Sequence, residues 1–97
     1  MAYKLTTSRQ FERDVKRCIK RGLPMDEFQT VIKLLVRDGK LPATYRPHKL
    51  TGDRKGQWEC HIQPDWLLIW KQYEDELLLL MLNTGSHSDL FSKKQKK

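Results

Sequence analysis

Long apolar runs are missing from this 97-residue chain. The two strongest, residues 66–70 and 77–82, fall far short of the roughly 20 residues that cross a bilayer, so no membrane association is expected. The opening Met1-Ala2-Tyr3-Lys4 has no apolar core segment, and no export signal is read there. Cysteine is scarce. Cys18 and Cys60, without such a signal, read as reduced thiols in a cytoplasmic protein rather than as a disulfide. A phosphate-cradling glycine loop, Gly-x-Ser-x-Gly and Cys-x-x-Cys are all lacking, which leaves a Ser or Cys nucleophile unsupported. So is the paired Asp/Glu cluster of two-metal enzymes, and neither metal nor cofactor is expected. The length accommodates one domain, residues 1–92, and a Lys-rich tail, 93–97.

Acidic charge is in deficit. Nineteen Lys and Arg against twelve Asp and Glu leave +7, which favours a polyanionic partner, either nucleic acid or an acidic protein. The excess is uneven. Residues 1–22 carry seven basic and two acidic side chains, and residues 38–56 carry five and two. Residues 57–92 reverse the sign, with one basic and six acidic groups. A solvated helix face and a Lys tail would explain this blandly. A functional explanation requires the first helix, the 40–56 segment and the tail to meet around one groove.

The periodicity predicts an α+β fold in the order β-α-α-β-β-β with a short terminal helix. Tyr3–Thr6 reads as an opening strand. Thr7 and Gln10 form a capping-box pattern ahead of a helix over about 8–21, with Phe11, Val15, Cys18 and Ile19 on its apolar side and Gly22 at its end. A second helix over about 25–38 carries Phe28, Val31, Ile32 and Leu35, with Asp26 and Glu27 in its first turn and Gly39 as its stop. Residues 40–56, with two Pro and two Gly, read as a long loop. Alternation then places Trp58, Cys60 and Ile62 on one face and Glu59 and His61 on the other. Strands at 66–72 and 77–82 follow, Thr84-Gly85-Ser86 is read as the break, and Ser86 caps a turn over 87–91. A two-helix hairpin should pack on a mostly antiparallel four-stranded sheet.

All three histidines, His48, His61 and His87, lie in loops or at strand ends. The turn after His61 should bring Asp65 beside it, and a hairpin should return His87 towards Asp65. His48 could cover the same cleft. Imidazoles near neutral pH can accept and donate protons, which suits attack of a 2′-hydroxyl on a neighbouring phosphodiester. Cations would stabilise the phosphorane. A zinc site on Cys60, His61, His48 and His87 is disfavoured because Cys60 and His61 should point to opposite faces. Trp58, Trp66 and Trp70 read first as core, although Trp66 beside Asp65 could serve either role.

His48-Lys49-Leu50 with Gly52, the stretch His61-Ile62-Gln63-Pro64-Asp65-Trp66, and Thr84-Gly85-Ser86-His87-Ser88-Asp89-Leu90-Phe91 together resemble the YafQ family of bacterial toxins, within the RelE/ParE superfamily. The resemblance implies an endoribonuclease fold that cleaves mRNA at the ribosome, and a DinJ-type antitoxin as partner. It implies that His48, His61, His87 and Asp65 are catalytic, and that Trp66 and Phe91 support the site or touch substrate. Many relatives carry Arg where this chain has Asn83: either Lys49, Arg54 or Lys55 supplies the cation, or the toxin is slow, or the position is not critical here. The competing reading is a non-catalytic toxin-fold module acting on the ribosome or on a protein such as gyrase.

Overall fold

The computed structural model describes residues 2–91. The opening strand, β1 (Lys4–Thr7), runs one residue further than expected and hands over to helix α1 (Arg9–Lys20). That extra residue shifts the cap. Ser8, not Thr7, is the N-cap, and its hydroxyl accepts from the Phe11 amide at 3.0 Å while donating to the Leu82 carbonyl at 3.0 Å. Thr7 bonds Glu12 instead, and Gln10 bonds Asp14. The second helix, α2 (Met25–Asp38), ends at Gly39, whose φ of 70° lets its amide reach the Leu35 carbonyl. A Cβ at Gly39 would collide with the Tyr3 ring, so the stop also admits the aromatic that precedes the first strand.

The remaining elements are β2 (His48–Lys49), β3 (Trp58–Gln63), β4 (Trp66–Tyr73), β5 (Leu78–Gly85) and the short helix α3 (His87–Phe91). The sheet has five strands rather than four, in the order β1-β5-β4-β3-β2. The addition is β2, inside the segment expected to be loop. It pairs antiparallel with β3 through His48↔Glu59 and Lys49↔Trp58, and the Leu50 amide extends the pairing to Gln57. Two residues are too few to display a period of two, so the pattern gave no sign of it. β1 joins β5 in parallel, and the other pairings are antiparallel. β5 continues through Thr84 and Gly85, where a break was expected, because Thr84 is buried and its hydroxyl donates to the Leu67 carbonyl at 2.7 Å.

Both helices cover one face of the sheet. Phe11 and Cys18 from α1 and Val31 and Leu35 from α2 meet Cys60, Leu68 and Met81. A stack of Phe11, Phe28 and Trp66 runs through this layer with centroids 6.0 and 6.1 Å apart. The other face carries Glu59, His61, Leu67 and Ile69, set by the pairs Glu59↔Ile69 and His61↔Leu67. Leu67 and Ile69 are fully buried, so this face is covered too, where the 50–57 segment folds over and Arg54 reaches Asn83. Among the described residues no helix is long and apolar enough to cross a membrane.

Candidate active site

The face opposite the helices gathers the three histidines. The β2–β3 pairing places His48 across from Glu59, and His61 follows two residues along the same strand face. His87 opens α3 at the end of β5. The rings form a row, with centroids 6.3 Å apart between His48 and His61 and 6.1 Å between His61 and His87. Phe91 continues the row at 6.2 Å from His87.

Each ring is oriented differently. His61 turns Nδ1 to the Pro64 carbonyl at 3.2 Å, and His87 turns Nδ1 to Asp65 Oδ1 at 2.9 Å. In both, Nε2 makes no hydrogen bond among the described residues. His48 uses both nitrogens: Nδ1 lies 2.9 Å from the Arg46 carbonyl and Nε2 lies 3.0 Å from Glu59 Oε1. Two oxygen acceptors leave neither nitrogen free to take a proton from a ligand. Asp65 was expected beside His61. It serves His87 instead, accepting from both its backbone amide and its ring. The backbone N–H of His87, and then its ring, hold the Asp65 carboxyl below its ordinary range.

Glu59 is the site residue that sequence reasoning missed. Its side chain is only 7% exposed, beneath a His48 that is 46% exposed. Alternation had already put it on the face of His61, but its partner was invisible without β2.

The basic residues divide. Arg54 donates to Gln57 Oε1 at 2.9 Å and to Asn83 Oδ1 at 3.1 Å, with its guanidinium carbon 5.8 Å from the Phe91 ring centroid. A cation therefore stands against Asn83. Lys49 is turned to the helix-bearing face, over Trp58, and is not part of the row. Lys55 is exposed on the loop and joins none of the ion pairs among the described residues. Trp66, expected to support the site or touch substrate, is 1% exposed and cannot reach substrate. It supports from below, stacking on Phe28 and donating Nε1–H to the Thr84 hydroxyl at 3.0 Å. Phe91 is exposed.

A second network seats α3. The Asp89 carboxylate accepts from the Ser86 amide at 2.9 Å and from Arg21 at 2.7 and 3.0 Å, and the Asp89 amide donates to the Ser86 hydroxyl. Buried Asp14 takes the Thr84 amide and pairs with Arg17, whose guanidinium also reaches the Thr84 carbonyl. The first helix and the basic loop thus converge on α3. The Lys tail lies outside the described residues. Cys60 sits in the helix-side core, away from His61, so the imagined zinc set is not assembled. Among the described residues no group of three or more His, Cys, Asp and Glu is placed to hold a metal ion.

Residues 3–92 match a family described as "Bacterial toxin of type II toxin-antitoxin system, YafQ". The mRNA interferase toxin YafQ of Escherichia coli (strain K12) is 39% identical over 85 residues, covering 87% of this chain and 90% of the relative. The crystal structure of the E. coli DinJ–YafQ toxin–antitoxin complex contains a chain with a TM-score of 0.84 and 37% identity, covering 94% of this chain and 99% of that one. A metal-bound toxin from Helicobacter pylori aligns with a TM-score of 0.83 and 34% identity, over 94% and 100%. This chain, with its helix pair, its β1–β5 parallel edge and its histidine row, belongs to the YafQ family of bacterial toxins of type II toxin–antitoxin systems.

Proposed function

We propose that this toxin is an endoribonuclease that cuts mRNA on the ribosome by attack of a 2′-hydroxyl on its own phosphodiester. The observation that carries this is the row of rings about 6 Å apart, two of them anchored through Nδ1 with Nε2 free. His61, held by a neutral carbonyl, serves as the base that takes the 2′-hydroxyl proton. His87, oriented through Nδ1 by the Asp65 carboxylate, delivers a proton from Nε2 to the leaving 5′-oxygen. Atoms balance, since the 2′-oxygen bonds to phosphorus as the 5′-oxygen leaves. Arg54 offsets charge on the phosphorane. His48, fixed by Glu59 and the Arg46 carbonyl, orients and polarises rather than shuttling protons. Acid, base and cation are all side chains, so the step requires no metal.

The basic surface suits an acidic antitoxin of the DinJ type, and a binding-only toxin would have no use for the two free Nε2 atoms. The Asn83 position, which could mark lost chemistry, is instead met by Arg54.

Mapping of transcript 5′ ends after brief expression tests the reading. Wild type should produce new ends within open reading frames, and His87→Ala should reduce them by about 10²–10⁴-fold with its unfolding midpoint unchanged. Undiminished cutting by that variant removes His87 as the acid. An absence of new ends from wild type points to the binding-only module.

A further inference from the structure

We infer that the cleft formed by Tyr45, Arg46, His61, Gln63 and Pro64 is a nucleobase subsite that reads the nucleotide immediately 5′ of the cut. The inference rests on the nuclease reading and extends it to substrate selection. The cleft encloses about 390 Å³ and shares His61 with the histidine row. None of its lining residues belongs to the separate cleft of Leu50, Thr51, Arg54, Leu90 and Phe91.

The direction of the RNA follows from the chemistry. The ribose that supplies the attacking hydroxyl belongs to the upstream nucleotide and must stand at His61. The leaving oxygen belongs to the downstream nucleotide and must stand at His87. The downstream base therefore falls towards Phe91, 6.2 Å beyond His87. The upstream base falls beside His61, which lines the Tyr45–Arg46 cleft.

The lining suits a base. Single-stranded RNA is recognised by stacking on aromatic rings or guanidinium planes and by hydrogen bonds to base edges. Arg46 is exposed and joins none of the ion pairs among the described residues, so its planar donors are uncommitted. Its backbone is left-handed at φ 51°, a conformation a non-glycine residue adopts at a cost and which is found at ligand clamps. Gln63 spends its Nε2 on Glu27 at 3.2 Å, leaving its carbonyl oxygen to accept from a base edge. The register of β3 slips between His61 and Gln63, a bulge of the kind that re-aims side chains beside active sites. The Arg46 carbonyl also holds the His48 ring, so the base platform and the histidine row share one backbone segment.

The test compares 5′-end spectra over a defined transcript for wild type, Arg46→Gln and Gln63→Ala, using full-length protein with matched unfolding midpoints. Loss of a base contact should flatten the preference at the nucleotide before each cut by about tenfold. The preference at the nucleotide after the cut should be kept, and Arg46→Lys should not restore the planar contact. Identical relative cutting at every site by all three proteins overturns the subsite while leaving the nuclease standing. Preference lost equally on both sides of the cut also overturns it. No cuts from wild type overturns both.

Discussion

Replacing Asp89 with Ala should unseat the helix that carries His87 without unfolding the domain. Five residues cannot sustain a helix alone, so α3 depends on its anchors. Asp89 supplies a Ser86 capping bond, worth about 1 kcal/mol, and a pair with a half-exposed Arg21, worth about 0.5–1 kcal/mol after solvent screening. A loss of about 2 kcal/mol raises the open population of α3 by roughly 30-fold. Because these contacts are confined to α3 and its seat, the opening should be local. Hydrogen exchange should show protection at 87–91 falling by up to that factor, and single-turnover cleavage should fall about tenfold or more. A global loss of the same size would lower Tm by roughly 8–16 °C for a domain of this length, whereas local opening barely moves it. The Arg21 guanidinium, first among several causes and against the opposing effect of burial, holds the Asp89 carboxyl far below its usual range. A depressed folded value stabilises above the unfolded value, about 3.9, and the benefit is lost as pH falls below it. Protection of α3 in wild type should therefore persist from neutral pH to about 4 and decline below, and Asp89→Ala should show a smaller acid-side transition, the remainder belonging to Asp65, which also holds the His87 amide. Unchanged exchange and cleavage in Asp89→Ala, or loss only in step with the global melt, would refute the reasoning.

Arg54→Gln should reduce single-turnover cleavage by about 10²-fold, since it removes the cation nearest Phe91 and Asn83. Asn83→Arg should fail to raise the rate, because the new guanidinium would face Arg54 where Asn83 now accepts from it; a faster variant would show that a missing charge limits turnover. Burial pushes the Cys60 thiol up to about 12 and raises the Cys18 thiol as well, so iodoacetamide at pH 8 should label neither in the native protein. Labelling of Cys60 faster than unfolding would contradict its place in the core.

The amino-acid pattern by itself determined the elements whose information is local. The second helix falls on residues 25–38 as its apolar spacing and its Gly39 stop dictate, and the alternation from 58 to 62 separates His61 from Cys60 as observed. The meeting of His61, Asp65 and His87 in one cluster was also legible, because short connections return consecutive strands to each other. What needed the tertiary structure was every choice between partners distant in the chain. β2 exists because β3 offers it a ladder, and only that ladder joins His48 to buried Glu59. Asp65 turns to His87 rather than to its sequence neighbour His61 because the β4–β5 register brings the start of α3 over the turn. Ser8 displaces Thr7 as the cap because β5 claims one more residue of β1. Trp66 is buried because Phe28 of α2, distant in the chain, stacks on it. Period and propensity act over a few residues. Register and packing are set by surfaces that meet only after the chain has folded.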